Sequence, residues 1–180
     1  AVPCYYGGSF GIDTRFGLHT DRSITAIYLA HELMKQFGKD TSVCILGGAS
    51  GMLAFYLWVA GFRSVSIIDL PVWLFCQGYF LSQNLPDVEL ELTSEFDSNR
   101  TVDKLGLFAT NCFHKAKSSK WDVVVNVDSM PMMGDHSALN FVSTISDKDW
   151  GFVSVNHETA EGDNSRVVEL CAQFPNIKNV

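Results

Sequence analysis

The chain has 180 residues, 47% of them hydrophobic, with 13 Lys and Arg against 20 Asp and Glu and a formal net charge of -7. That is long enough for one domain with a real core and too apolar for disorder over most of its length. The acidic balance, with basic residues only scattered at Lys115, Lys117 and Lys120, argues against a phosphate-tracking nucleic-acid surface and against an anionic membrane partner.

Residues 1–19 set Gly7, Gly8, Gly11 and Gly17 among Tyr5, Tyr6, Phe10 and Phe16, and they read as an ordered loop segment. Arg15 and His19 stand within reach of a ligand, although surface or salt-bridge roles are the commoner use of such residues. Asp21 is placed to cap a helix over 22–37, with Ile24, Ile27, Leu33, Met34 and Phe37 largely on one face and Gly38 ending the run. Val43–Leu46 is apolar without alternation, as a strand buried on both faces of a parallel sheet should be. Gly47, Gly48 and Gly51 turn the chain, Ser50 can cap the next helix, and Met52–Ala60 is apolar on nearly every side until Gly61. A second strand over 64–68 ends at Asp69, and Pro71 opens a helix running to about Gln83. Residues 88–92 alternate apolar and acidic side chains, as an edge strand would. Residues 93–100 read as a loop. Residues 102–115 read as a helix with Val102, Leu105, Phe108 and Cys112 inward. Further strands are expected over 121–127 and 152–155, a loop over 130–134, and helices over 137–145 and 165–173.

Five strands alternating with helices predict one α/β domain over the whole chain, with a doubly wound parallel sheet in the order 3-2-1-4-5. The Gly47 turn then falls at the topological switch point, where ligands bind in such sheets. The five cysteines, Cys4, Cys44, Cys76, Cys112 and Cys171, are odd in number and form no C-x-x-C pair. They read as reduced packing residues of a cytoplasmic protein. No apolar run approaches the roughly 18 residues of a membrane span. The opening AVPCYYGGSF has no signal-peptide pattern and no initiator methionine, which fits a processed chain or a piece of a longer one.

The βαβ unit from Val43 to Asp69 has the parts of a nucleotide site: glycines that let backbone N–H groups approach a ligand, and an acid that can accept from a ribose diol. A tight turn that serves only packing is the plain alternative. A P-loop is excluded because no lysine follows the turn. A short-chain nicotinamide dehydrogenase would need a lysine four residues after a tyrosine, and none of Tyr5, Tyr6, Tyr28, Tyr56 or Tyr79 has one.

Three segments carry a resemblance: ILGGASG (45–51), IIDLPVWLFCQGYFL (67–81) and VVVNVDSMPMM (123–133), with NHE (156–158) ending the fifth strand. In order and spacing over about residues 20–160 the chain resembles the sugar O-methyltransferases, Rossmann-like class I enzymes dependent on S-adenosylmethionine. The resemblance implies that Gly47, Gly48 and Gly51 pass close to the cofactor. It implies that Asp69, with Leu70 beside it, holds the ribose and that Asp97 lies near the adenine. Asn126 and Asp128 would face the methyl group or a small-molecule acceptor. His136 and His157 are the candidate bases for taking the acceptor's proton, with Asp128 a third catalytic candidate. Asp128, Asp135 and His136 could instead hold a divalent metal, although their spacing is not diagnostic. The chain departs from the family at Ile45 and Met132, where carboxylates are usual, and it ends before the antiparallel hairpin that the class adds. Those departures motivate the alternative of a catalytically inactive Rossmann-like domain that binds a nucleoside or a protein partner.

Overall fold

The computed structural model describes residues 11–15, 17–93, 102–156 and 166–174. Two short strands, β1 (Ile12–Thr14) and β2 (Gly17–His19), pair antiparallel before the first helix, α1 (Asp21–Phe37). The main chain trace then runs β3 (Val43–Leu46), α2 (Met52–Ala60), β4 (Ser64–Asp69), α3 (Pro71–Asn84), β5 (Glu89–Thr93) and β6 (Lys104–Ala109). A 3-10 helix (Thr110–Lys115) leads to β7 (Val123–Val127), a 3-10 turn (Met130–Met132), α4 (Asp135–Lys148), β8 (Gly151–Val155) and α5 (Val167–Cys171).

The sheet has six strands in the order β5-β6-β4-β3-β7-β8, and every neighbouring pair is parallel. The five expected strands keep their expected relative order, with β3 central. The sixth, β6, is inserted between β5 and β4, where sequence reading placed a helix over 102–115. Positions 102, 105, 108 and 112 do lie on one helical face, so the apolar spacing fits both structures. In the structure Leu105 and Leu107 enter one core and Phe108 the other, which is the two-residue period of a strand covered on both faces. Asp103, at φ +57°, breaks the chain just before it.

Helices cover both faces. Residues of α1, α2 and α3 close one core with Val43, Ile45, Val65 and Ile67. Residues of α4, α5 and the 110–115 helix close the other, around Phe113, Trp121, Phe141 and Trp150. Phe113 stacks on Trp121 and meets Phe141 and Trp150 edge-on, at ring-centroid distances of 5.0–5.6 Å. Such pairs add about 0.5–1.5 kcal/mol each beyond their burial.

Several local expectations need correction. Thr20, not Asp21, caps α1: its side chain accepts from Ser23 N, and Ser23 answers to the Thr20 backbone. The buried face of α1 is Ala26, Leu29, Ala30 and Leu33, whereas Ile24 is 57% exposed. The small residues bring α1 against α2. Ser50 caps nothing; α2 starts from Gly51 in the left-handed region. Cys44, Cys112 and Cys171 are buried and reduced, as packing residues are, while Cys76 is exposed and Cys4 lies outside the described residues. Burial pushes the Cys44 thiol well above its ordinary range, against the opposing pull of Lys120. Among the described residues no helix is long and apolar enough to cross a membrane.

Candidate functional site

At the carboxyl edge of the sheet the ends of β3 and β4 are locked to each other. Gly47 N–H donates to Ile68 O at 2.9 Å, and Gly48 N–H donates to Asp69 Oδ2 at 3.0 Å. Leu70 N–H donates to Asp69 Oδ1 at 2.8 Å. The third partner of Asp69 comes from α3: Gln77 Nε2 donates to Asp69 Oδ2 at 2.7 Å and to Ala49 O at 3.0 Å. A 9% exposed carboxylate is thereby supported from three directions, as a buried anion must be. Gln77, wholly buried on α3, was not singled out by sequence reading. Its signal is the eight-residue spacing from Asp69, six residues beyond Pro71 in the same helix, and that spacing has meaning only once the turn is seen in three dimensions.

The glycines answer first to the protein itself. At Gly47, with φ +69°, a Cβ would overlap the Ser129 side chain; at Gly48 it would lie 2.6 Å from Ile67 Cγ2. Gly51 has φ +84° and abuts Phe80 and Leu81. The turn is therefore tight because β4, α3 and the residues after β7 converge on it.

A crevice of about 1590 Å³ opens over this edge. Ligand pockets commonly occupy roughly 300–1,000 Å³, so the space exceeds what one small ligand needs. Of the residues predicted to bind a cofactor, Gly47, Gly48, Asp69 and Leu70 line it, and so does Asp128. Gly51 sits behind the turn, buried. Asn126 is also removed from the crevice, against expectation. It is 0% exposed. Its Nδ2 donates to Ser154 Oγ and Asn156 Oδ1, both at 2.8 Å, and its Oδ1 accepts from Met130 N at 3.0 Å and from the Ser129 hydroxyl. All four hydrogen-bonding positions of the amide are used to tie β7 to β8 and to the turn that follows. Ser129 Oγ also lies 2.7 Å from Leu46 O, so its single proton is shared between that carbonyl and Asn126 Oδ1.

His136 stands exposed in the first turn of α4, with Nε2 3.3 Å from Asn140 Nδ2, and it does not line the crevice. Asp97 and His157 lie outside the described residues. Among the described residues no group of three His, Cys, Asp or Glu side chains could hold a metal ion, so Asp128, Asp135 and His136 do not form the metal site considered from sequence. Asp128 adopts φ +53°, a left-handed conformation that aspartate tolerates better than most residues.

The remaining walls are chemically divided. Trp73, Phe75, Tyr79 and Phe80 of α3 form an apolar side. Asp21 and Arg22 bring charge from the start of α1, and Ile45 is the apolar residue at the base of the turn. On the opposite side stand Thr110, Asn111 and His114, which sequence reading hid inside its expected helix.

No family model matches the sequence, and no curated protein matches it. Solved structures do. The pyocyanin biosynthetic protein PhzM is similar over 79% of this chain and 42% of its own, with 14% identity and a TM-score of 0.51. The glycopeptide N-methyltransferase MtfA, solved with sinefungin, is similar over 81% of this chain and 59% of its own, at 15% identity and TM-score 0.53. Magnesium protoporphyrin IX methyltransferase (ChlM) from Synechocystis PCC 6803, solved with bound SAH, is similar over 70% and 51%, at 16% identity and TM-score 0.50. At these identities the likeness is one of fold, the Rossmann-like fold of methyltransferases. The chain spans about half the length of the structures it matches.

Proposed function

We propose that this domain binds S-adenosylmethionine in the crevice and serves O-methylation of a small hydroxylated acceptor, a sugar by the sequence resemblance. The observation that carries the reading is the Gly47–Gly48–Asp69–Gln77 arrangement at the switch point of the sheet. Among the described residues Asp69 Oδ1 takes only the Leu70 N–H, so it keeps a lone pair for a ribose hydroxyl. The crevice has room for a nucleoside and a second molecule together. Asp21 and Arg22 offer opposite charges for an amino-acid end, in a crevice where Ile45 brings no carboxylate. When bound, the cofactor supplies an electrophilic sulfonium methyl group. The chain's own part is to hold the nucleoside through Asp69, keep the turn rigid through Gln77, and wall the methyl acceptor from water with Trp73, Tyr79 and Phe80. Two solved structures of this fold, determined with SAH and with sinefungin, support the choice of cofactor.

A second reading, a nucleoside-binding domain without catalysis, is favoured by Ile45 and by Met132, which is 85% exposed at the crevice where the family has a carboxylate. Titration calorimetry with S-adenosylmethionine, S-adenosylhomocysteine, NAD and NADP tests the shared premise. Heat with the first two and none with the others is expected. Binding of NAD or NADP alone would replace the reading with a nicotinamide one, and no heat with any of the four would end it.

A further inference from the structure

Helix α3 is built inside out. A surface helix ordinarily turns charged side chains to solvent, as α1 does with Asp21, Arg22 and Lys35. The 14 residues of α3, PVWLFCQGYFLSQN, include no charged side chain. Its buried positions are Leu74, Gln77 and Leu81. Outward it shows Val72 at 65% exposure and Phe75 at 74%, with Trp73 and Tyr79 about half exposed. Cys76 is exposed beside them.

Val72, Cys76 and Tyr79 stand at i, i+4 and i+7, so they run down one face of the helix, and Trp73 and Phe75 flank them. The exposed parts of the three aromatic side chains alone come to about 300–400 Å². That is already the scale of the largest apolar patch on a typical monomer, roughly 300–600 Å². It is also nearly half of the roughly 800 Å² that each partner buries in a standard interface.

We infer that the exposed face of α3 docks a second copy of this chain, the two helices crossing on a two-fold axis near Cys76. A two-fold interface sets the same patch against itself, so the patch must complement itself. An uncharged apolar stripe does. Two chains that each carry a net charge of -7 repel wherever acid faces acid, and α3 is a face on which they meet without that repulsion. A lipid surface fits less well: helices that lie on membranes carry Lys and Arg on their polar face, and no Lys or Arg stands between Arg63 and Arg100. Trp73, Phe75, Cys76 and Tyr79 also line the crevice, so the second copy forms part of its outer wall.

Sedimentation velocity of the full chain, with reductant present and no added nucleoside, tests the pairing. The wild-type chain should form a dimer at micromolar concentration. Phe75→Glu and Val72→Glu each set like charges against each other across the axis and should weaken dimerisation at least about ten-fold. Both positions are exposed, and far-UV circular dichroism matching wild type shows that the variants fold. A bis-maleimide reagent should join Cys76 to Cys76 of the second copy, as mapped by peptide mass, and Cys76→Ser should abolish that product. A wild-type chain that stays monomeric would overturn the inference, and flotation with phosphatidylcholine vesicles would then assign the stripe to lipid. A dimer that both glutamate variants leave intact, or one without the Cys76 cross-link, would overturn it by placing the interface elsewhere.

Discussion

Removing the Asp69 carboxylate takes an acceptor from Gly48 N–H, from Leu70 N–H and from the Gln77 amide at once. An acid that merely faced the crevice would contribute little to a core, and Asp69→Ala would then leave the fold largely intact. The structure argues otherwise. Buried donors left without partners cost about 1–3 kcal/mol, so Asp69→Ala should lower the melting temperature as well as weaken nucleoside binding. For binding, loss of a hydrogen bond to a charged group is worth roughly 1.5–3 kcal/mol, about ten- to a hundred-fold in affinity. Calorimetry well below the variant's melting temperature separates the two effects. A lowered melting temperature with unchanged affinity would reduce Asp69 to a brace for the glycine turn. Asp69 itself was legible in the sequence, as an acid ending an apolar run. The role of Asn126 was not. A buried amide that ties two strands and one that faces a ligand are alike in a one-dimensional reading, and only the partners distinguish them.

At the scale of elements, β3, α2, β4 and α3 were legible because glycine, proline and unbroken apolar runs mark their ends. β6 was not, because KLGLFA is short and its apolar spacing suits a helix as well as a strand. Gly106 decides between the two experimentally. In the sheet a Cβ there would run into the Phe108 ring and lie 3.1 Å from Ser66 Oγ. Phe108 is fully buried and has nowhere to retreat. Gly106→Ala should therefore destabilise the protein by about 1–3 kcal/mol through overpacking. In a helix the same change would stabilise it by about 0.5–1 kcal/mol. Urea denaturation gives the sign, and a stabilised variant would contradict the strand.

For the whole molecule, the parallel sheet, the two-sided helical cover and the switch point follow from the alternation of strands and helices, which survives the insertion of β6 at one side. The crevice does not follow from that pattern. Its walls come from five separate stretches, among them the start of α1 and the 110–115 helix, and only the assembled fold brings them together. The central claim is that this crevice seats an adenosyl nucleoside across the ends of β3 and β4. Titrating S-adenosylhomocysteine into the nitrogen-15-labelled chain tests it most directly. The largest amide shifts should fall on Gly47, Gly48, Ala49, Asp69 and Leu70. Binding that leaves those five amides unmoved, or no binding at all, would contradict it.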